Sequence, residues 1–225
     1  MTSIAANLQA VRARIDAACL VSGRPAGSVA LLAVSKTWPA GNVRVAADAG
    51  QIAFGESYVQ ESIAKIHELA ALPELEWHFI GPLQSNKTRL VAENFSWVHS
   101  IDRLKIAERL AEQRPSSLPP LQVCVQVNVS GETSKSGCAP DQVAALAHAV
   151  ATLPHLKLRG LMAIPEPTDD PVEQRAQFAR LRRLRDSIGL ELDTLSMGMS
   201  HDLEAAIMEG STLVRVGTAI FGIRA

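Results

Sequence analysis

The sequence predicts an α/β chain folded as a (β/α)8 TIM barrel with an extra N-terminal helix, a single domain over residues 1–225. Three observations predict it. Strand-like and helix-like segments alternate from end to end, the pattern of parallel strands joined by crossover helices. Eight strand candidates can be read, the number that closes such a barrel, and 225 residues is near its usual size. In the fifth candidate Val123, Val125, Val127 and Val129 share one face, and Gln122, Cys124, Gln126 and Asn128 share the other. Valines against an outer helix layer and polar groups toward an interior that grows wetter at its mouth suit a barrel stave. A doubly wound open sheet, the competing arrangement, buries apolar side chains on both faces of its central strands.

The elements follow in order. Ile4, Leu8, Val11 and Ile15 lie on one stripe of an opening helix that carries Arg12, Arg14 and Asp16. A transit peptide has a similar pattern, but packing of that stripe on the core is the preferred reading. "VALLAVSK" (29–36) is the first strand, and "IAFGES" (52–57) the second after a short helical stretch. A helix with the stripe Val59, Ile63, Ile66 and Leu69 leads to "WHFIG" (77–81). "WVHSID" (97–102), "LQVCVQVNV" (121–129), "LKLRGLMAIP" (156–165), "DTLSMG" (193–198) and "LVRVGTAIFG" (213–222) complete the set. "RPSSLPP" (114–120) is a turn-rich connection too short for a tether, and "PEPTDDP" (165–171) is a polar loop, so no linker divides the chain. Within "RLRRLRD" (180–186) and its flanks, Phe178, Leu181, Leu184 and Ile188 form a helical core stripe, which makes the arginines a solvated face.

Composition excludes several classes. The formal charge is −1, from 22 basic and 23 acidic residues, which favours neither nucleic acid nor a membrane surface as partner. Cys19, Cys124 and Cys138 are far apart and form no C-x-x-C, so neither a disulfide framework nor a zinc site is expected. Reduced thiols fit a cytoplasmic protein. No apolar run reaches membrane-spanning length, and no secretory segment opens the chain.

In this fold functional groups gather where strands end. Lys36 ends strand one, "GES" (55–57) ends strand two, and "SMGMSHD" (196–202) and "VRVGT" (214–218) belong to strands seven and eight. Ser200 precedes a helical pattern with Asp202 in its first turn, the place of an N-cap. Gly217 and Thr218 lie in strand eight, where a missing side chain lets an anion approach the backbone. Helix N-termini and the last two strands of barrels recur as phosphate sites, so these residues form a candidate phosphate cup. The plain alternative is a cap and a packing glycine. Lys36 stands beside strand eight if the barrel closes. A desolvated lysine has a lowered pKa, and its neutral amine attacks aldehydes. Pyridoxal 5′-phosphate (PLP) carries both an aldehyde and a phosphate. For Lys36 alone, reaching to solvent is the alternative. Arg215 shares strand parity with Gly217, one pleat deeper, where a permanent charge keeps a pyridine nitrogen unprotonated. A buried arginine paired with a carboxylate such as Glu56 is the other reading.

These residues resemble a known family. "AVSKTWP", "FGESYVQE", "WHFIGPLQSNK", "HSID", "NVSGETSKSG", "GLMAIP" and "LSMGMSHDLEAAIMEGSTLVRVGTAIFG" are similar, in order and over nearly the whole chain, to the pyridoxal phosphate homeostasis proteins. The resemblance implies a barrel like the N-terminal domain of alanine racemase, with PLP held as a Schiff base on Lys36. It implies phosphate contacts from Ser200, Gly217 and Thr218, Arg215 beside the pyridine nitrogen, and Ile80 and Met197 near the ring. Lys135 resembles a family lysine implicated in cofactor handling. The family reads G-E-N where this chain has Gly55-Glu56-Ser57, so an amide is exchanged for one hydroxyl at Ser57.

Two functions fit such a site: an amino-acid racemase, and a carrier that buffers PLP and delivers it to PLP-dependent apo-enzymes. A two-base racemase needs an acid/base group on each face of the ring. Related racemases draw the second, a tyrosine, from an extra β-domain. This chain reads to Ala225 just after strand eight, and its single tyrosine is Tyr58. His78 and His99 read as strand histidines hydrogen-bonded locally, and His201 as a first-turn residue. The expectation is a non-catalytic PLP-binding protein. A Schiff-base lyase for a phosphorylated sugar is a weaker third reading.

Overall fold

The computed structural model describes residues 3–130 and 136–223. Strands β1 (Ala30–Val34), β2 (Ala53–Glu56), β3 (Glu76–Phe79), β4 (Trp97–Ile101), β5 (Leu121–Gln126), β6 (Leu156–Met162), β7 (Thr194–Ser196) and β8 (Leu213–Val216) pair in chain order. All pairings are parallel, and β1 against β8 closes the barrel. Helix α1 (Ile4–Val21) precedes the first strand. The crossovers carry α2 (Ala40–Asp48), α3 (Val59–Glu68), α4 (Thr88–Asn94), α5 (Leu104–Gln113), α6 (Val143–Ala151), α7 (Pro171–Ser187) and α8 (Leu203–Met208), and α9 (Thr218–Phe221) follows β8.

The main apolar core lies between the strands and the helices. Ala33, Phe54, Phe79, Val98, Val123, Leu161 and Val214 belong to it, together with the valines of the fifth strand segment. The register sets the opposite face. Leu32 pairs with Arg215, Gly55 with His78, Trp97 with Gln122, and Met162 with Ser196. These residues alternate with the core set, so they point into the barrel. The polar face predicted for the fifth strand is therefore the interior one, with Gln122 opposite Trp97 and Gln126 opposite Met162.

Local signals explain the helices that matter here. Ser3 caps α1 by accepting from the Ala6 N–H at 3.2 Å, and Leu8, Val11, Ile15, Ala18 and Cys19 are buried beneath it. The opening helix thus packs on the barrel. Asp170 caps α7 and Pro171 opens it, a favoured order of residues at a helix start. Phe178, Leu181 and Ile188 of the expected stripe are buried, with Leu184 packed partly against them.

Three expectations need correction. The strands stop short of the apolar runs that predict them, because the last residues of each run leave the ladder to build the mouth. The eighth differs most: instead of continuing to 222, it ends at Val216. Gly217 turns into the helical region (φ −115°, ψ −72°), and its carbonyl accepts from Ile220 and Phe221 N–H, both at 2.9 Å. A short all-apolar run has no period that separates strand from helix. In α3 the stripe is also displaced: Val59, Ser62 and Lys65 are buried, while Ile63 and Ile66 are only partly covered. Finally, Ser200 does not cap α8. Asp202 is the cap residue, and its carboxylate accepts from the Met199 N–H at 2.6 Å. No helix among the described residues is long and apolar enough to cross a membrane.

Candidate functional site

The carboxyl ends of the strands open on a cavity of about 490 Å³. Lys36, Ser57, Ile80, Ser200, Arg215, Gly217 and Thr218 all line it, although they come from five separate strand ends. Strand parity explains the convergence: Lys36 continues the inward series Leu32 and Val34, and Gly217 continues Leu213 and Arg215. Met197 is not brought in. It is fully buried in the layer between strands and helices, because Ser196 points inward and its neighbour must point outward. Gly198, with φ of 96°, then turns the chain and presents Met199 to the cavity. Met199, Val34, Ile164 and Ile223 are lining residues that sequence reasoning missed, and His201, expected in the first turn of a helix, lies ahead of α8 and lines the cavity as well. Inward parity was the signal for Val34 and Ile164. Lys135 lies outside the described residues.

At the deep end sits Arg215, 3% exposed. Its Nη1 donates to the Ser196 carbonyl and, at 2.8 Å, to Ser196 Oγ, and its Nη2 donates to the Ala163 carbonyl at 2.9 Å. Among the described residues no carboxylate pairs with it: Glu56, the suggested partner, holds Lys65 at 2.5 Å instead. A guanidinium has five N–H donors. Three are spent on these acceptors, which leaves two for the cavity. Burial lowers the Arg215 pKa to about 10, and the group stays charged at neutral pH.

The same serine starts a buried chain. Ser196 Oγ lies 2.8 Å from His99 Nδ1, and His99 Nε2 lies 2.9 Å from His78 Nδ1. A run in which Arg215 donates to the hydroxyl, the hydroxyl to His99 and His99 to His78 is compatible with every link and leaves the His78 Nε2–H facing Glu76. Burial pushes both imidazoles below their usual pKa, His99 well below because His78 and the Arg215 charge add to it. These histidines are hydrogen-bonded locally, as expected, and lie beneath the cavity.

At the outer end, Gly217 begins the turn into α9. A Cβ there would meet the Val34 carbonyl at 3.1 Å, so glycine keeps the strands close and the backbone open to the cavity. The first N–H groups of a helix have no intrahelical partner. With the Thr218 and Ser200 hydroxyls they form a donor-rich rim suited to an anion. The Ser200 turn is held from outside: Arg14 donates to its carbonyl at 3.0 Å and grips Glu204 at 2.8 and 3.0 Å.

Lys36, half-buried in the turn after β1, lines the same cavity. A second cavity of about 640 Å³ shares Lys36, Ser57, Ile80 and Ile164 and extends toward Tyr58, Lys87 and Arg103. One cavity thus collects a lysine, a buried guanidinium and a donor-rich turn. Such a set can hold an anion, and a lysine in it can bind a carbonyl group.

Known proteins share this arrangement of sequence and fold. Residues 3–225 match the family described as alanine racemase, N-terminal domain. A pyridoxal phosphate homeostasis protein of Pseudomonas aeruginosa is 64% identical over 224 residues, covering 100% of this chain and 97% of the relative. One from Escherichia coli K12 is 55% identical over 232 residues, covering 100% and 98%. PipY of Synechococcus elongatus, solved with PLP bound, superposes with a TM-score of 0.85 at 40% identity, covering 98% of this chain and 100% of PipY.

Proposed function

The chain belongs to the pyridoxal phosphate homeostasis protein family, and on that premise we propose that it binds PLP at the barrel mouth and buffers and delivers it. One observation carries the reading: Lys36, Arg215 and the Gly217–Thr218 turn face a single cavity. The residues fit the group. Gly217, Thr218 and Ser200 would take its phosphate, since they offer hydroxyl and backbone donors at a strand-to-helix turn. Arg215 would meet the pyridine nitrogen with its unspent N–H groups, and as a charged donor it would keep that nitrogen unprotonated. Ile80, Ile164 and Met199 would pack on the ring, and Ser57 would offer one hydroxyl in place of an amide. Bound PLP supplies an aldehyde that condenses with a primary amine, the carbonyl oxygen leaving as water. Lys36 Nζ would supply that amine.

Carriage rather than catalysis fits the same residues. An arginine at the pyridine nitrogen weakens the ring as an electron sink. His78 and His99 are committed to each other and to Ser196 below the cavity. Recipients on this reading are apo-enzymes that require PLP. Three buried, free cysteines fit a reducing, cytoplasmic setting.

Borohydride reduction of the PLP-loaded protein, followed by peptide mapping, tests the site. The expected result is one labelled lysine, Lys36, with the label and the associated absorbance lost in Lys36→Ala. A label on Lys65 or Lys87 in the unsubstituted protein overturns the assignment. Incubation with amino acids tests the carrier role, and turnover on the order of 1 per second or faster would overturn it.

A further inference from the structure

The turn that presents Lys36 is tied to α3 by two charged side chains, the buried Lys65 and the partly exposed Glu61. Thr37 has φ of 67°, a conformation that β-branched residues rarely adopt. Its N–H donates to Glu61 Oε1 at 2.6 Å. Lys65, one helical turn along, donates to Glu61 at 3.2 Å, to Glu56 Oε1 at 2.5 Å and to the Ser35 carbonyl at 2.8 Å. Ser35 Oγ donates to the same Glu56 oxygen at 2.6 Å. Lys65 is 4% exposed and Glu56 0%, so these charges interact with little screening by water.

The two neighbours of Lys36 are thus fastened to one helix, Ser35 through Lys65 and Thr37 through Glu61. Lys36 itself faces the other way, into the cavity. Among the described residues neither Glu61 nor Lys65 lines either mouth cavity, so they do not act by touching a ligand there. A non-glycine residue held in a left-handed conformation persists where surrounding contacts over-determine it, and such residues cluster at functional sites.

We propose that Glu61 and Lys65 are positioning residues, a carboxylate–ammonium clamp on the Ser35–Thr37 turn that aims the Lys36 amine at its ligand. The inference rests on Lys36 being the attachment point for PLP. The clamp itself makes and breaks no covalent bond. When it is loosened, the amine samples more orientations, and the ligand bond to Lys36 opens more readily.

The test uses the full chain with Glu61→Ala, Glu61→Gln and Lys65→Met. Glu61 is partly exposed, so its variants remain folded and carry the test if Lys65→Met does not. Three quantities are read: Tm, Thr37 amide hydrogen exchange without ligand, and the rate at which loaded protein releases PLP to an excess of phosphatase. In Glu61→Ala the Thr37 amide should exchange roughly tenfold faster and PLP should leave roughly tenfold faster, the scale of one hydrogen bond to a charged acceptor. Glu61→Gln should recover most of the exchange protection, because its amide oxygen still accepts from Thr37. In a Thr37→Gly background, where the left-handed turn is relaxed, Glu61→Ala should change release less than about twofold. Unchanged exchange, or faster exchange with unchanged release, would overturn the clamp. A wild-type borohydride label away from Lys36 overturns the functional reading itself and removes the clamp's purpose, and it is scored separately from release.

Discussion

At the scale of single residues, the site depends on what is missing as much as on what is present. Gly217 has a φ of −115°, which any residue adopts, so its value lies in space and not in backbone freedom. A methyl group there would press on the Val34 carbonyl and stand where the backbone is to meet an anion. Gly217→Ala is therefore expected to separate binding from folding. Its Tm should change by only a few degrees, because lost chain entropy in the unfolded state, about 0.4–1 kcal/mol, offsets the contact. Its PLP dissociation constant should rise roughly tenfold, the scale of one charge-assisted backbone hydrogen bond. Titration by cofactor absorbance checks it, and unchanged affinity would move the phosphate away from this turn. Arg215 shows the complementary case. Its burial is tolerated because two carbonyls and a hydroxyl take three of its donors while the cavity admits the rest.

At the scale of elements, the mouth is also braced by a helix that does not line it. Helix α1 reaches the anion rim from outside: Arg14 bridges Glu204 and the Ser200 carbonyl, and Asn7 donates to the Ile220 carbonyl at 2.9 Å. The Arg14–Glu204 pair is about two-fifths exposed on each side, so it is worth about 0–1 kcal/mol. Arg14→Ala should hence weaken PLP binding only about two- to fivefold while Tm falls by no more than about 4 °C. A larger stability loss without any change in affinity would show that α1 serves packing alone. The barrel, its closure and the convergence of Lys36, Arg215, Gly217 and Thr218 were legible in the sequence, because alternation and parity are local patterns, whereas Ser57 and Ile80 came from the family resemblance. What escaped legibility depended on long-range partners. Nothing near Lys65 announces that Glu56 and the Ser35 carbonyl wait across the interface to hold it, while Ser62 is satisfied locally by the Tyr58 and Val59 carbonyls. Ser200 and Asp202 are both good caps, and the choice fell to the residue whose carboxylate also reaches Met199. Met197 and Met199 share chemistry, and only the turn at Gly198 decides which one meets the cavity.

At the scale of the whole molecule, the barrel interior is a polar column rather than an apolar plug. At its base Arg159 lies 4.9 Å over Trp97, donates to Gln122 at 2.8 Å and grips Asp193 at 2.7 Å. Trp97 stacks on His78 at 5.2 Å, and the chain of His78, His99 and Ser196 continues to Arg215 and the mouth. Burial holds both imidazoles below their usual pKa, His78 and the Arg215 charge add to this at His99, and Glu76, 3.7 Å from His78 Nε2, pulls the other way at His78. The folded chain thus binds fewer protons at these histidines than the unfolded chain does. Their contribution to stability is fully present above the unfolded pKa of about 6.5 and is lost as pH falls below it. His99, held well below the usual value, carries most of this loss, which grows as pH falls from 6.5 toward 5. Glu56 works in the opposite sense: its carboxyl is raised by burial against the pull of Lys65, so it favours the fold as pH falls toward the ordinary carboxylate range. The expected outcome is a Tm that declines between pH 6.5 and 5 in the native protein and declines less in His99→Gln, where the glutamine amide still bridges without titrating. Thermal unfolding across that range checks it. Equal slopes in the two proteins would mean that the interior column admits a proton at no cost, and that water reaches it from the mouth or the base.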